Sequence, residues 1–135
     1  MDKSILDASV VIKWFFPEEG SDKADLYLEK LKKRKITIIV PELLFYEVGN
    51  TLLSKKVQAD DSDKIAKQLL ALPFEKKQMD STYFKKIIHN AGTFGLTFYD
   101  AAYITLLQNQ NCGFVTADRK LFEKVRKNFR GVKLL

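Results

Sequence analysis

ITIIVPELLFYEVGN, residues 36–50, holds the choice of fold in two halves. Ile36–Val40 is an unbroken β-branched run, the pattern of a strand buried on both faces, and such strands belong to parallel sheets covered by helices. Pro41 then suits the first position of a helix, and Glu42–Lys56 reads as its continuation. Upstream, Lys3–Leu6 is a short strand ended by Asp7, and Ala8–Phe16 is a helix stopped before Pro17. Ser21–Lys35 is amphipathic, with Ala24, Leu28 and Leu31 on one face and a basic end that complements the helix dipole. Downstream, Asp61–Ala71 is a helix with Asp60 or Asp61 as cap, Phe74–Met79 a strand, and Ser81–Ala91 a helix capped by Asp80. Thr97 opens a helix through Gln108, Gly113–Thr116 is a strand, Arg119–Asn128 a helix, and Val132–Leu134 a last strand. This alternation predicts a three-layer α/β fold with a central, mainly parallel sheet. Ligands of such folds bind outside the C-terminal strand ends, where the strand order switches.

A length of 135 residues predicts a single domain over 1–135; folding at this size buries roughly two thirds of the chain's surface. With 46% hydrophobic and 30% charged residues the chain is neither disordered nor low in complexity. No apolar run approaches the ~20 residues of a membrane span, and the acids within MDKSILDASVV argue against a signal peptide. Cys112 is the sole cysteine, which excludes an internal disulfide and fits a reducing, cytoplasmic setting. The net charge of +6 is unevenly spread: residues 81–135 carry 9 basic and 3 acidic side chains, and the rest of the chain is balanced. A basic C-terminal part points to a polyanionic partner, nucleic acid first.

Four acids stand in apolar surroundings: Asp7 in SILDASVV, Glu47 in LLFYEVGN, Asp100 in TFYDAAYI and Asp118 in GFVTADRK. Asp7 and Asp118 follow strands, Asp100 lies in the first turn of a helix, and Glu47 sits mid-helix on a half-apolar face. Taken singly, Asp7 and Asp118 also read as helix caps, and Thr97–Asp100 as a capping box. Taken together they gather at one rim of the sheet, and capping does not explain Glu47. Buried carboxylates stay ionised together when a hard cation shares their site. Mg²⁺ or Mn²⁺ suits oxygen donors, whereas one His and one Cys far apart do not make a zinc site.

ILDASVVIKWFFPEEG, VPELLFYEVGNTL, TFYDAAYITLLQ and FVTADRKLF resemble, in order and spacing, the successive signatures of PIN-domain nucleases, and within them the VapC toxins of prokaryotic toxin–antitoxin pairs. The resemblance runs from Ile5 to Phe122 and is weak over residues 57–94. It implies an α/β/α sandwich and a Mg²⁺-dependent endoribonuclease, with Mn²⁺ as a possible substitute. Asp7 and Asp100 would be the surest metal ligands, completed by Glu47 and Asp118. Ser9 and Thr116 match the hydroxyl positions beside the first and last acid, and Asn50 the polar position after the glutamate; ordinary helix-start hydrogen bonds are the alternative for these. The implied partners are RNA, a cognate antitoxin and a second copy of the chain in a homodimer, with no membrane. Arg119 and Lys120, beside Asp118, are the best-placed contacts to the RNA backbone, with the basic residues from Lys124 onward as further candidates. The competing readings are the same nuclease in RNA maturation without an antitoxin, and a non-catalytic RNA-binding module. A phosphoacceptor receiver domain fits poorly, because Asp7 stands alone after the first strand. Phe45, Tyr46, Tyr99 and Tyr103 are expected in the core or on a dimer surface, and His89 on the outside.

Overall fold

The computed structural model describes residues 2–135. Five strands, β1 (Asp2–Leu6), β2 (Ile36–Pro41), β3 (Glu75–Lys77), β4 (Gly113–Thr116) and β5 (Val132–Leu134), form one sheet in the order β3-β2-β1-β4-β5. Every pairing is parallel. Seven α-helices flank it: α1 (Ala8–Val11), α2 (Ser21–Lys32), α3 (Leu43–Ser54), α4 (Ala59–Ala71), α5 (Ser81–Phe94), α6 (Phe98–Asn109) and α7 (Arg119–Val125). The expected α/β architecture is therefore present, and the sheet is wholly parallel. No helix among the described residues is long and apolar enough to cross a membrane.

The core follows from the strand sequences. Ile5 and Leu6 of β1, Ile38–Val40 of β2, and Phe114 and Val115 of β4 are buried, as strands between helical layers must be. Helix α6 packs against β1, β2 and β4, and its residues Ala101–Leu107 are all buried. That helix is apolar all round because it is enclosed, not amphipathic. It is a rigid mount for whatever its first turn carries.

Several ends differ from expectation for identifiable reasons. Helix α2 stops at Lys32 because Arg34 adopts φ +55°, and the Lys35 N–H then closes onto the Lys30 carbonyl. Lys56, at φ +54°, ends α3 in the same way, with the Val57 N–H donating to Leu52. Both are left-handed helix terminations made without glycine. Pro41 is the last residue of β2 and not the start of a helix. Helix α4 begins at Ala59, so Asp60 and Asp61 lie in its first turn and neither caps it. The helix after Asp7 lasts one turn and tightens to 3₁₀ geometry over Ile12–Trp14, while the Trp14 indole N–H donates to the Ala24 carbonyl at 2.8 Å. Helix α5 runs past Ala91 to Phe94, where Gly95 at φ +64° ends it.

Candidate metal and catalytic site

Strand order reverses direction at β1: β2 lies on one side of it and β4 on the other. Asp7 follows β1 and Asp118 follows β4, so both stand at the C-terminal switch point. Asp7 is the N-cap of α1, with an oxygen accepting from the Ser9 N–H at 3.1 Å. Asp118 is the N-cap of α7 and accepts from the Leu121 N–H at 3.1 Å. The capping roles are real, and the acids also converge.

Asp7 is only 6% exposed, and each of its oxygens has a dedicated hydroxyl. The Ser9 hydroxyl donates to Oδ1, and the Thr116 hydroxyl donates to Oδ2 at 2.5 Å. Those hydroxyls are themselves held by the β4–α7 turn. The Ala117 N–H donates to Ser9 Oγ at 2.8 Å and the Asp118 N–H to Thr116 Oγ1 at 3.0 Å. Two backbone amides thus reach one carboxylate through two hydroxyls. Despite these donors, burial pushes the Asp7 carboxyl up to about 6, and the charge of Asp100 adds to the rise.

Glu47 projects from α3, where Leu43, Leu44 and Val48 are buried. Its Oε1 accepts from the Tyr103 hydroxyl of α6 at 2.8 Å. Burial raises its carboxyl to about 7; the Tyr103 hydrogen bond opposes this, and Asp7 and Asp100 reinforce it. Tyr103 is fully enclosed, its ring stacked on Phe114 at 5.7 Å, and burial with the nearby Glu47 and Asp7 charges holds its phenol well above the ordinary value. It stays protonated, donating to Glu47 while its oxygen accepts from the Ala8 N–H. Asp100 lies in the first turn of α6, whose N-cap Thr97 accepts the Asp100 N–H at 3.1 Å. Its carboxyl is raised by burial and then by Asp118, against a lowering from the Thr97 side-chain hydrogen bond and then from Lys124.

The four acids therefore act on one another electrostatically across β1, α3, α6 and the β4–α7 turn. None is in an ion pair among the described residues. They do not form a closed cage: among the described residues no three Asp, Glu, His or Cys side chains stand as a ready ligand cluster. The donor set still fits one class of ion. Mg²⁺ keeps several waters and is commonly held by one or two carboxylates, not by an all-protein cage. Oxygen donors that are desolvated and mutually repelling are what such a cation relieves. The set does not fit zinc, since His89 is exposed on α5 and Cys112 lies at the opposite end of β4.

The other expected residues divide. Ser9 and Thr116 are built into the site through Asp7. Asn50 is exposed on α3 and makes no hydrogen bond to the acids among the described residues. Arg119 and Lys120 are exposed at the start of α7. Lys124 is held by the Gly95 carbonyl and acts on Asp100. Of the aromatics, Tyr46 and Tyr99 are 71% and 56% exposed. Tyr103 is buried, one of the two places the sequence offered it, but its hydrogen bond to Glu47 is a contact that sequence reasoning missed. Tyr103→Phe keeps the stacked ring and removes the donor to Glu47. We expect a loss of about 10-fold in metal affinity or activity, with stability changed by only ~1 kcal/mol. Isothermal titration beside a thermal melt separates the two effects.

The PIN domain family model matches residues 4–128. Ribonuclease VapC3 of Pyrobaculum aerophilum is 26% identical over 130 residues, which cover 90% of this chain and 94% of that protein. A toxin–antitoxin complex from Klebsiella pneumoniae matches with a TM-score of 0.66 at 15% identity, over 96% of this chain and 95% of that one. Mycobacterium tuberculosis VapC20, a sarcin-ricin loop cleaving toxin, matches with a TM-score of 0.67 at 12% identity, over 96% of this chain and 98% of that one. At these identities the structural likeness speaks for the fold.

Proposed function

Because the chain belongs to the PIN-domain family, we propose that it is a Mg²⁺-dependent endoribonuclease and the toxin of a toxin–antitoxin pair. The observation that carries the reading is the electrostatic coupling that links Asp7, Glu47, Asp100 and Asp118, none of them in an ion pair among the described residues, at the switch point of a parallel sheet. The relatives' names support it: one is a ribonuclease and two are toxins or complexes of toxins.

Asp7 and Asp100 hold the ion, and Glu47 and Asp118 complete its surroundings, directly or through water. The ion, when bound, supplies Lewis acidity toward the phosphate and lowers the pKa of water. The chain does the rest. Ser9 and Thr116 keep both oxygens of Asp7 in a fixed direction. Tyr103 does the same for one oxygen of Glu47. Asp118 is exposed at the rim and orients the attacking water. Arg119 and Lys120 hold phosphates of the substrate backbone, where they fix register and not sequence. Water forms the new bond to phosphorus and the 3′ oxygen leaves with a proton, so the products are a 5′-phosphate and a 3′-hydroxyl, and no ribose 2′-OH is needed.

The proposed partners are RNA, a cognate antitoxin chain and a second copy in a homodimer, and the proposed setting is the cytoplasm. Cleavage of defined tRNA, rRNA and mRNA substrates tests the chemistry. Cleavage should vanish in EDTA and return with Mg²⁺ or Mn²⁺, and a 2′-deoxyribose at the scissile position should still be cut. Undiminished cleavage in EDTA, or none with either metal, would sink the reading. Growth arrest on expression, relieved by the product of a neighbouring small open reading frame, tests the toxin role.

A further inference from the structure

Beside the acid site lies a second opening at the same edge of the sheet. It is a cleft of about 430 Å³ whose walls include Lys13, Gly20, Lys23, Ala117, Arg119 and Leu135. Its position follows from the topology. Strands β4 and β5 are parallel, so Ala117 and Leu135 both stand at C-terminal strand ends, joined by the Leu135 N–H donating to the Thr116 carbonyl at 2.9 Å. Ala117 is also the residue whose N–H holds Ser9 against Asp7. The cleft is therefore continuous with the relay that fixes the buried carboxylate.

Its charges are not equivalent. The Lys13 ammonium is occupied, bound to Glu18 at 3.2 Å and to the Glu19 carbonyl at 2.7 Å. Lys23 and Arg119 are exposed and in no ion pair among the described residues. Glu19 and Asp22 also face the cleft. A wall with two free cations, two carboxylates and the apolar Leu134 and Leu135 does not suit a bare polyanion. It suits a unit that joins a phosphate to a group bearing N–H donors. Carboxylates accept from exocyclic amino groups of bases, and the volume lies in the range of small-molecule sites. Gly20 lines the cleft at φ +85°, a left-handed backbone that glycine adopts without strain.

We propose that this cleft is the subsite for the nucleotide flanking the scissile phosphodiester, with Lys23 and Arg119 holding its phosphate. The proposal rests on the ribonuclease reading and adds Lys23 to the substrate-binding surface. Lys23 binds the substrate and takes no part in the bond-making step.

The test compares wild type, Lys23→Glu and, as a surface-lysine control at the C-cap of α2, Lys33→Ala, whose lysine pairs with Glu29. Each is assayed on a fluorescent single-stranded RNA and on bis(4-nitrophenyl) phosphate, which has no flanking nucleotide. Lys23→Glu should raise KM for RNA about 10-fold with kcat little changed, and lower the slope of log affinity against log salt by about 1. Hydrolysis of bis(4-nitrophenyl) phosphate should stay at the wild-type rate, and Lys33→Ala should match wild type throughout. Equal loss on both substrates, or wild-type KM and salt slope in Lys23→Glu, overturns the subsite while leaving the nuclease reading intact. A wild-type protein that neither binds nor cleaves RNA overturns both.

Discussion

Asp100→Asn should lower metal-dependent RNA cleavage by about 10³-fold or more while the protein keeps its fold. The side chain leaves from the first turn of α6, whose following residues Ala101–Leu107 are packed on the sheet. That packing does not depend on the carboxylate, and Thr97 keeps its cap on the backbone N–H when it loses its contact to the charged side chain. What the substitution removes is a charge that Asp7 and Glu47 both register. An amide offers a cation a weaker oxygen and no charge, so the ion loses one of its two surest ligands. Single-turnover cleavage beside a thermal melt gives the answer. A folded Asn variant that keeps a tenth of the wild-type rate would contradict the assignment of Asp100.

The second large effect concerns stability. Metal-free protein should become less stable as pH rises from about 4 to 7, and Mg²⁺ should return the loss. The sign follows from Asp7. Its carboxyl is raised from 3.8 to about 6, so the folded chain holds that proton more tightly than the unfolded one. The proton's contribution is full below the unfolded value, shrinks as pH climbs through the folded value, and is absent above it. The interval corresponds to about 3 kcal/mol, or roughly 10 °C in Tm for a chain of this size. Glu47 acts in the same direction, up to about 7, and its partial exposure screens its share. Asp7→Asn should therefore abolish activity yet melt higher than wild type at pH 8 without metal. Its amide can donate to Thr116 Oγ1, a hydroxyl already able to accept. A pH-independent melt of the metal-free wild type, or a lower Tm for Asp7→Asn at pH 8, would contradict the picture of a strained, desolvated carboxylate.

The parts of the site that were legible in the sequence are those decided locally. Asp7, Asp80 and Asp118 announce helix starts because a cap acts within three residues, and the β-branched run at 36–40 announces a buried strand by itself. The motif order carried the assembly of the four acids. What was hidden depends on contacts between distant elements or on backbone states without a residue signature. Glu47 and Tyr103 are 56 positions apart and meet only when α3 and α6 pack on the same sheet. Arg34 and Lys56 terminate helices in left-handed conformations that glycine would have advertised. Pro41 read as a helix start because proline suits both that position and the end of a strand. The cleft at Lys23 joins α2 to the ends of β4 and β5, and no local pattern links those segments.

The two hydroxyl bridges to Asp7 bear on how the molecule comes into being. Thr116 donates to a carboxylate 109 positions earlier, and Ala117 reaches Ser9 across 108. A chain synthesised from its N-terminus therefore carries Asp7 across that separation without the strand and turn that fix it. Strand β1 can pair with β2 early, but its other edge waits for β4. Such long-range parallel pairing is slow to form. The hydroxyl shell of Asp7 is thus completed only after β4 and the turn that follows it have joined the sheet.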